Sequence, residues 1–171
     1  IIKGLKRLFY PITLTKRVSL RAQLLPKHEA LMNLLSETNF RILDNAIDLV
    51  FCKKTRINIF GLGEYSLGQC KPEIAFQNYN HNYLGIILSH NPDSFEILKR
   101  YPGSLLLAGH THGGQVNLPG LARRFTYAEH PEFKRGLKKL GEKWAYINRG
   151  LSASIKFRWC SPPELTLITL K

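Results

Sequence analysis

Runs of apolar residues divide the chain into short predicted strands. The runs Ala46–Cys52 and Arg56–Leu62 predict a β-hairpin that turns at Lys53-Lys54-Thr55. Further along, Leu84–Leu88 and Ser104–Ala108 are short apolar runs typical of strands buried on both faces of a sheet. Because a helical segment separates these last two runs, they are predicted to be neighbouring parallel strands.

Three helices are predicted beside these strands. The predicted segments are 26–39, 72–78 and 95–100. The first carries three leucines at the spacing of a core-facing stripe: Leu31, Leu34 and Leu35. Either Asp93 or Ser94 is predicted to cap the third helix, since both side chains can accept a backbone N–H at a helix start.

The last third of the chain is less regular. It is predicted to hold a basic loop region, Arg123–Lys143, followed by a strand Trp144–Asn148 and a terminal strand Leu165–Leu170. There is no internal repeat. Strands and helices in this order predict an α/β fold built on a mixed sheet.

Three histidines follow the two central strands. His90 lies just past the first strand, and His110 and His112 lie just past the second. In parallel sheets, ligand sites lie beyond the carboxyl ends of the strands. Residues two apart in an extended segment point to the same side, so His110 and His112 are predicted to aim at one place, with His90 beside them. Imidazole nitrogens suit zinc, iron and related metals, and the trio therefore predicts a metal site.

The residues around the trio fit such a site. Gly109, Gly113 and Gly114 leave room for a cation or a phosphate to approach the backbone. Ser89 and Asn91 are candidates to satisfy the second ring nitrogen of a ligand. The other three histidines lack a partner at ligand spacing and are interpreted as ordinary polar residues: His28, His81 and His130.

The charge balance points to anionic partners. Lys and Arg number 25 against 12 Asp and Glu, which gives a formal net charge of +13. Such an excess favours nucleic acid, anionic lipid or phosphorylated substrates, or else only a solubilising surface. Nucleic acid is disfavoured, because the basic residues form no recognition motif.

Residues 1–28 concentrate this charge, with seven cations and no acid. At helical spacing the first twelve residues have an apolar side and a cationic side, broken at Pro11. Two interpretations remain open: contact with an anionic membrane surface, or packing of the apolar side on the rest of the protein. The expected location is the cytoplasm, with peripheral attachment to the inner membrane as one option.

Three widely spaced cysteines (Cys52, Cys70 and Cys160) argue against a disulfide framework or a thiolate zinc site. No apolar run approaches the length of a membrane span, and the first residues do not form a secretory signal. The first residue is not Met, so an excised segment or a truncated gene product is expected.

These motifs, in this order, resemble those of calcineurin-like metallophosphoesterases. Gly109-His110-Thr111-His112 resembles the G-H-x-H motif of the family, and Ser89-His90-Asn91-Pro92-Asp93 resembles its upstream single-histidine motif. Gly113-Gly114-Gln115 and the stretch 146–151 are similar to a bacterial branch that hydrolyses UDP-2,3-diacylglucosamine in lipid A synthesis. The resemblance to the superfamily covers roughly residues 40–171.

The resemblance implies a metal-dependent phosphoesterase or pyrophosphatase with two divalent ions, manganese foremost and iron or zinc as alternatives. His90 and His110 would bind one ion, and His112 would bind the other. Arg149 and Asn148 would contact the phosphate-containing substrate, a lipid-linked nucleotide. Four neighbours of the ligands would form the second shell: Asn91, Thr111, Gly109 and Gly113.

The other motifs of the family (D-x-H, G-D-x-x-D and G-N-H) are absent from these 171 residues. The proton donor is therefore not identified. The chain is interpreted as half of the β-sandwich of the family flanked by helices, with a basic segment 1–28 and the C-terminal part of the domain at 29–171. Alone it is expected to be inactive, because three neutral ligands leave the metal charge uncompensated. A basic peripheral membrane protein or a nucleic-acid-binding protein without catalysis remains the alternative.

Overall fold

Four parallel strands form the centre of a mixed sheet in a computed structural model of the chain. The model describes residues 24, 26, 28–117, 128–152 and 157–170. In this part of the chain there are six strands: β1 Ala46–Cys52, β2 Thr55–Gly61, β3 Leu84–Leu88, β4 Leu105–Ala108, β5 Gly136–Leu140 and β6 Lys143–Ile147. The predicted α/β fold with a mixed sheet is confirmed.

The helices are short; the first precedes β1 in the chain, and the other two follow β2 and β3. They are α1 Glu29–Ser36, α2 Pro72–Ala75 and α3 Phe95–Leu98. Four 3₁₀ turns are also described: Tyr65–Leu67, Pro92–Ser94, His112–Gly114 and Pro131–Phe133. In the described part of the chain, no helix has the length and apolar character needed to cross a bilayer. The basic segment lies outside the described residues, apart from Leu24, Pro26 and His28.

The strands follow the order β1-β2-β3-β4-β6-β5. β2, β3, β4 and β6 are parallel to one another, while β1 and β5 pair with them in antiparallel fashion at the two edges. The hairpin between β1 and β2 turns at two residues, and Lys53 there takes a left-handed backbone with φ of 52°. The predicted hairpin and the predicted parallel pair β3–β4 are confirmed.

One face of the sheet carries the core. Phe60, Ile87, Leu106 and Ala145 stand in register across the four parallel strands, and all four are fully buried. The rings of Phe60 and Phe76 stack with their centroids 4.0 Å apart. The segments after β2, β3 and β4 complete this layer, with Ala75, Phe95, Leu98 and Phe133.

The opposite face is less covered. Leu84 and Leu88 on β3 are 40% and 38% exposed, and Trp144 on β6 is 47% exposed. The prediction that Leu84–Leu88 is buried on both faces is therefore wrong, because only the alternate residues of β3 point into the core. The prediction holds better for β4, where three of four residues are buried.

Four details of the predicted elements are also corrected. Leu31 and Leu34 of α1 are exposed, since the helix buries no residue against the described part of the chain. The basic region predicted as a loop contains β5, which turns into β6 at Gly141. The terminal segment Leu165–Leu170 forms no strand. Ser94 stands at the N-cap position of α3 as predicted, but its side chain makes no capping hydrogen bond; Asn91 instead caps the preceding 3₁₀ turn by accepting from the backbone N–H of Asp93.

The three cysteines are free thiols. Cys52 and Cys160 are exposed, while Cys70 packs against the core. Burial raises the pKa of Cys70 from 9.0 to about 11, and the nearby carboxylates of Glu73 and Glu64 add to the rise.

Candidate functional site

The carboxyl ends of the four parallel strands come together at one edge of the sheet. Short backbone bonds hold the loops that follow them: Leu62 N–H to Leu88 O (3.0 Å), Gly109 N–H to His90 O (3.1 Å) and Asn148 N–H to Ala108 O (2.8 Å). The loops after β3, β4 and β6 carry the residues that the sequence singled out. The edge therefore gathers the candidate ligands, as parallel topology requires.

His90 and His110 meet at this edge. Nε2 of His90 lies 3.1 Å from Nδ1 of His110, and the two rings meet edge to face with centroids 4.9 Å apart. Two ring nitrogens bound to one metal at about 2.0–2.1 Å each lie roughly 2.9–3.4 Å apart for right-angle to tetrahedral geometry. The observed spacing thus fits two ligands of a common ion.

His112 is placed differently from the prediction. His110 and His112 have φ of 66° and 50°, and His112 opens a 3₁₀ turn. The segment is therefore not extended, and the argument from alternating side chains does not apply. Nδ1 of His112 lies 3.4 Å from Oε1 of Gln115 instead. The structure pairs His90 with His110 and gives His112 a separate partner.

The electrostatics of His110 favour a neutral ring. Burial lowers the pKa of its imidazole, and the adjacent charge of His90 lowers it further. Glu64 and Asp93 oppose this shift, and His112 adds to it slightly. A neutral imidazole is the form that binds metal, so the environment suits a ligand.

No group of three or more His, Cys, Asp or Glu side chains able to hold a metal occurs among the residues that the structure describes. The donor set that is present consists of the two facing imidazoles and His112 with Gln115. It fits part of a metal site and not a complete one. Carboxylates that would balance the charge of an ion are lacking in it.

Arg149 and Asn148 lie beside the His112 turn. The Nε of Arg149 donates to Oε2 of Glu164, and its side chain is partly buried. The amide of Asn148 donates to Oγ1 of Thr166 (2.9 Å), while its oxygen accepts from the Gly150 N–H (2.6 Å). Both residues are thus held by neighbours from the C-terminal segment.

The predicted second-shell residues order the loops. Asn91 caps the turn after His90, and Thr111, between His110 and His112, donates to the backbone carbonyl of Lys134 (2.6 Å). A Cβ on Gly109 would meet only Asn148 O, at 3.9 Å. A Cβ on Gly113 would lie 2.5 Å from Oγ of Ser161, so this glycine allows close packing of chain rather than access for a ligand.

A cavity of about 390 Å³ adjoins His90 on the less covered side of the sheet. Its lining is mainly apolar, with Arg41, Ser89 and His90 as the polar members: Arg41, Leu43, Gly61, Leu62, Leu88, Ser89, His90, Leu107 and Ala108. The imidazole of His90 is therefore accessible from this side.

Comparisons with known proteins bear on what this edge of the sheet does. The chain is 39% identical over 146 residues to the UDP-2,3-diacylglucosamine pyrophosphatase LpxG of Chlamydia trachomatis, an alignment of 81% of this chain and 44% of LpxG. It is 31% identical over 144 residues to the phosphodiesterase YaeI of Escherichia coli, covering 84% of this chain and 52% of YaeI. It is 30% identical over 141 residues to the metallophosphoesterase YkuE of Bacillus subtilis, covering 81% and 49%. The chain belongs to the calcineurin-like metallophosphoesterase family.

The chain spans about half the length of these metallophosphoesterases. No protein-family model and no solved structure matches it. Its described part nevertheless has the mixed sheet with few helices expected of a partial metallophosphoesterase fold.

Proposed function

We propose that this chain forms the histidine-bearing part of a metal-dependent phosphoesterase that hydrolyses phosphorus esters or anhydrides. The observation that carries the proposal is the facing pair of His90 and His110, 3.1 Å apart at the carboxyl edge of a parallel sheet. The pair belongs to a chain whose relatives are named as hydrolases of this class.

Two divalent ions are proposed. His90 and His110 hold one ion, in keeping with their spacing, and His112 contributes to the other, in keeping with its separate position. Manganese is proposed first, with iron or zinc as alternatives, since imidazole serves all three. When bound, such ions polarise a phosphoryl oxygen and provide a nucleophile at neutral pH.

The proposed substrate is a lipid-linked nucleotide such as UDP-2,3-diacylglucosamine in lipid A synthesis. The support is the 39% identity to LpxG, named as the pyrophosphatase of that compound. The guanidinium of Arg149 has donors beyond the Nε that Glu164 engages, and these suit a phosphate oxygen. Asn148 would act beside it. The proposed location is the cytoplasm, peripheral on the inner membrane, with 1–28 as the membrane contact.

The remaining ligands and the proton donor are proposed to come from outside this chain. We treat 29–171 as the C-terminal part of the domain, so the chain by itself is expected to be inactive. The described donor set supports this view, since it supplies imidazoles without a bridging carboxylate.

The test compares the chain with a complete protein that contains it. Hydrolysis of UDP-2,3-diacylglucosamine and of a generic phosphodiester with added Mn²⁺ is followed by chromatographic separation of substrate and products. The complete protein should turn over at least one substrate, and His110→Ala should abolish that turnover while His81→Ala, an exposed histidine that contacts Tyr79, leaves it intact. Equal turnover in both variants would show that the histidine pair is not part of the site.

A further inference from the structure

The loops that carry the histidines are tied to a third segment, residues 128–134, which we call the strap. It runs from the buried Ala128 through a 3₁₀ turn to the buried Phe133, whose ring lies 5.7 Å from that of Phe95. The strap holds no candidate ligand at metal-binding spacing. Its contacts, however, reach both histidine loops.

The first contact is Asp93, three residues after His90. Its carboxylate is 3% exposed, and its two oxygens accept from the successive backbone N–H groups of Glu129 and His130, both at 2.9 Å. Burying a carboxylate is costly unless hydrogen bonds satisfy it. Two charge-assisted bonds to one strap segment meet that need, which makes this contact specific rather than incidental.

The second contact is Thr111, the residue between His110 and His112. Its side chain is 4% exposed, and the hydroxyl donates to the carbonyl of Lys134 at 2.6 Å. The same oxygen accepts from the Gly113 N–H at 3.3 Å. One hydroxyl therefore joins the far end of the strap to the turn that orients His112.

A backbone hydrogen bond also connects the two histidine loops directly. The Gly109 N–H donates to the His90 carbonyl at 3.1 Å. The His90 loop is itself braced, because Ser89 and Ser94 join their hydroxyls at 2.8 Å. The strap, the His90 loop and the His110 loop thus form one connected unit.

We propose that Asp93 and Thr111 are positioning residues: through the strap they hold the His90 loop and the His110 loop in register, so that the two ring nitrogens face each other. This inference rests on the proposed function only where it treats those rings as metal ligands. Neither side chain needs to touch a substrate or an ion.

The test measures amide hydrogen exchange by NMR in the metal-free chain. Thr111→Val removes the hydroxyl while keeping the shape of the side chain nearly unchanged. Asp93→Asn replaces one accepting oxygen with an NH₂ group, so that one backbone N–H of the strap faces another donor instead of an acceptor. In both variants the Gly109 amide should exchange about tenfold faster or more, the effect of losing a buried hydrogen bond. The Ser89 amide, bonded to Leu107 O within the sheet, serves as the internal reference and should change much less.

Two control variants accompany these. Thr111→Ser keeps the hydroxyl and should retain slow exchange at Gly109. Glu132→Gln alters an exposed strap residue that pairs only within the strap, with His130, and should also leave Gly109 unchanged. Equal acceleration at Gly109 and Ser89 would show mere loss of stability and would overturn the positioning role.

A measurement on the unmodified chain covers the case of a variant that does not fold. The amides of Gly109, Glu129 and His130 should exchange through one common opening with the same urea dependence. Separate openings would contradict the inference.

The last measurement is the affinity of each variant for Co²⁺, determined by titration. Thr111→Val and Asp93→Asn should weaken Co²⁺ binding about 10–100-fold, which is the usual effect of losing a residue that orients a metal ligand. Thr111→Ser and Glu132→Gln should bind Co²⁺ with nearly the affinity of the unmodified chain. Unchanged affinity in the first two variants would contradict the positioning role. If the unmodified chain binds no Co²⁺, the titration is repeated on a complete protein that contains it, where absence of binding would refute the proposed metal site; the exchange data decide the role of the strap in either case.

Discussion

The hydroxyl of Ser161 donates to the backbone carbonyl of His112 at 2.7 Å, a contact between residues 49 apart in the chain. Ser161 is buried, and the stem of Arg149 also lies against the same turn. Both approach Gly113, whose φ of 66° lies in the left-handed region. The C-terminal segment therefore fixes the backbone of His112 through a position that tolerates no side chain.

We predict that Gly113→Ala strongly destabilises the chain. A Cβ there would lie 2.5 Å from Oγ of Ser161 and 2.7 Å from Cγ of Arg149. The matched control is Gly141→Ala, at a similar φ of 60° with nothing within 4 Å of its Cβ. The control should lose about 1 kcal/mol from backbone strain, and Gly113→Ala should lose about 1–3 kcal/mol more from overpacking. Urea unfolding measures both, and equal losses would refute the steric argument.

We predict that His90 and His110 share one bound ion. His90→Ala or His110→Ala should each weaken Co²⁺ binding at least about tenfold, because either change removes one of two ligands of a common ion. His81→Ala, an exposed control, should bind as the unmodified chain does. The measurement is isothermal titration at pH 7.5. Retention of full Co²⁺ affinity in either His90→Ala or His110→Ala would show that the two imidazoles do not bind a common ion.

Much of the sheet is predictable from sequence, because each strand is marked locally. The apolar runs predict β1 to β4, and the strand–helix–strand order predicts the parallel pairing of β3 and β4. The strand β5 is missed, since Lys138 and Lys139 give it the charge of a loop, and the only local signal is the Gly141 turn. The terminal strand is wrongly predicted, because strand formation depends on pairing with a neighbour, which the local pattern of residues does not reveal.

For the site, the proximity of His90 and His110 follows from topology, and the structure brings the two rings together. The orientation of His112 could not be predicted, since it depends on a left-handed backbone at two non-glycine residues. The contacts of Asp93 and Thr111 with the strap could not be predicted either. Their partners lie more than 20 positions away in the strap. In addition, the sequence around Asp93 predicts a helix cap, because a carboxylate at a helix start commonly accepts a backbone N–H there.

We predict that Asn58 is a stabilising residue of the core. It is 1% exposed on β2, and its amide donates to the carbonyls of Asn80 (2.8 Å) and Tyr83 (3.1 Å). Asn58→Ala leaves these part-buried carbonyls without their donor and should cost about 1–3 kcal/mol in the free energy of unfolding. Asn82→Ala, an exposed change in the same loop, should cost within about 0.5 kcal/mol. Similar values for the two would show that the Asn58 bonds contribute little.

We predict that Cys70 makes the chain less stable in alkali. Its pKa is raised to about 11 in the fold, mainly by burial, against an ordinary value of 9.0. Above pH 9 the unfolded chain gives up the thiol proton while the folded chain keeps it, so this contribution to stability is full below pH 9 and is lost as pH rises toward 11. Cys70→Ala should therefore show a shallower decline of the urea midpoint between pH 8.5 and 10.5. The exposed Cys52→Ala should keep the slope of the unmodified chain.

The burial of Cys70 also predicts the order of chemical modification. A thiol reagent at pH 8 should modify Cys52 and Cys160 before Cys70. Modification of all three cysteines at one rate would contradict the burial of the Cys70 thiol.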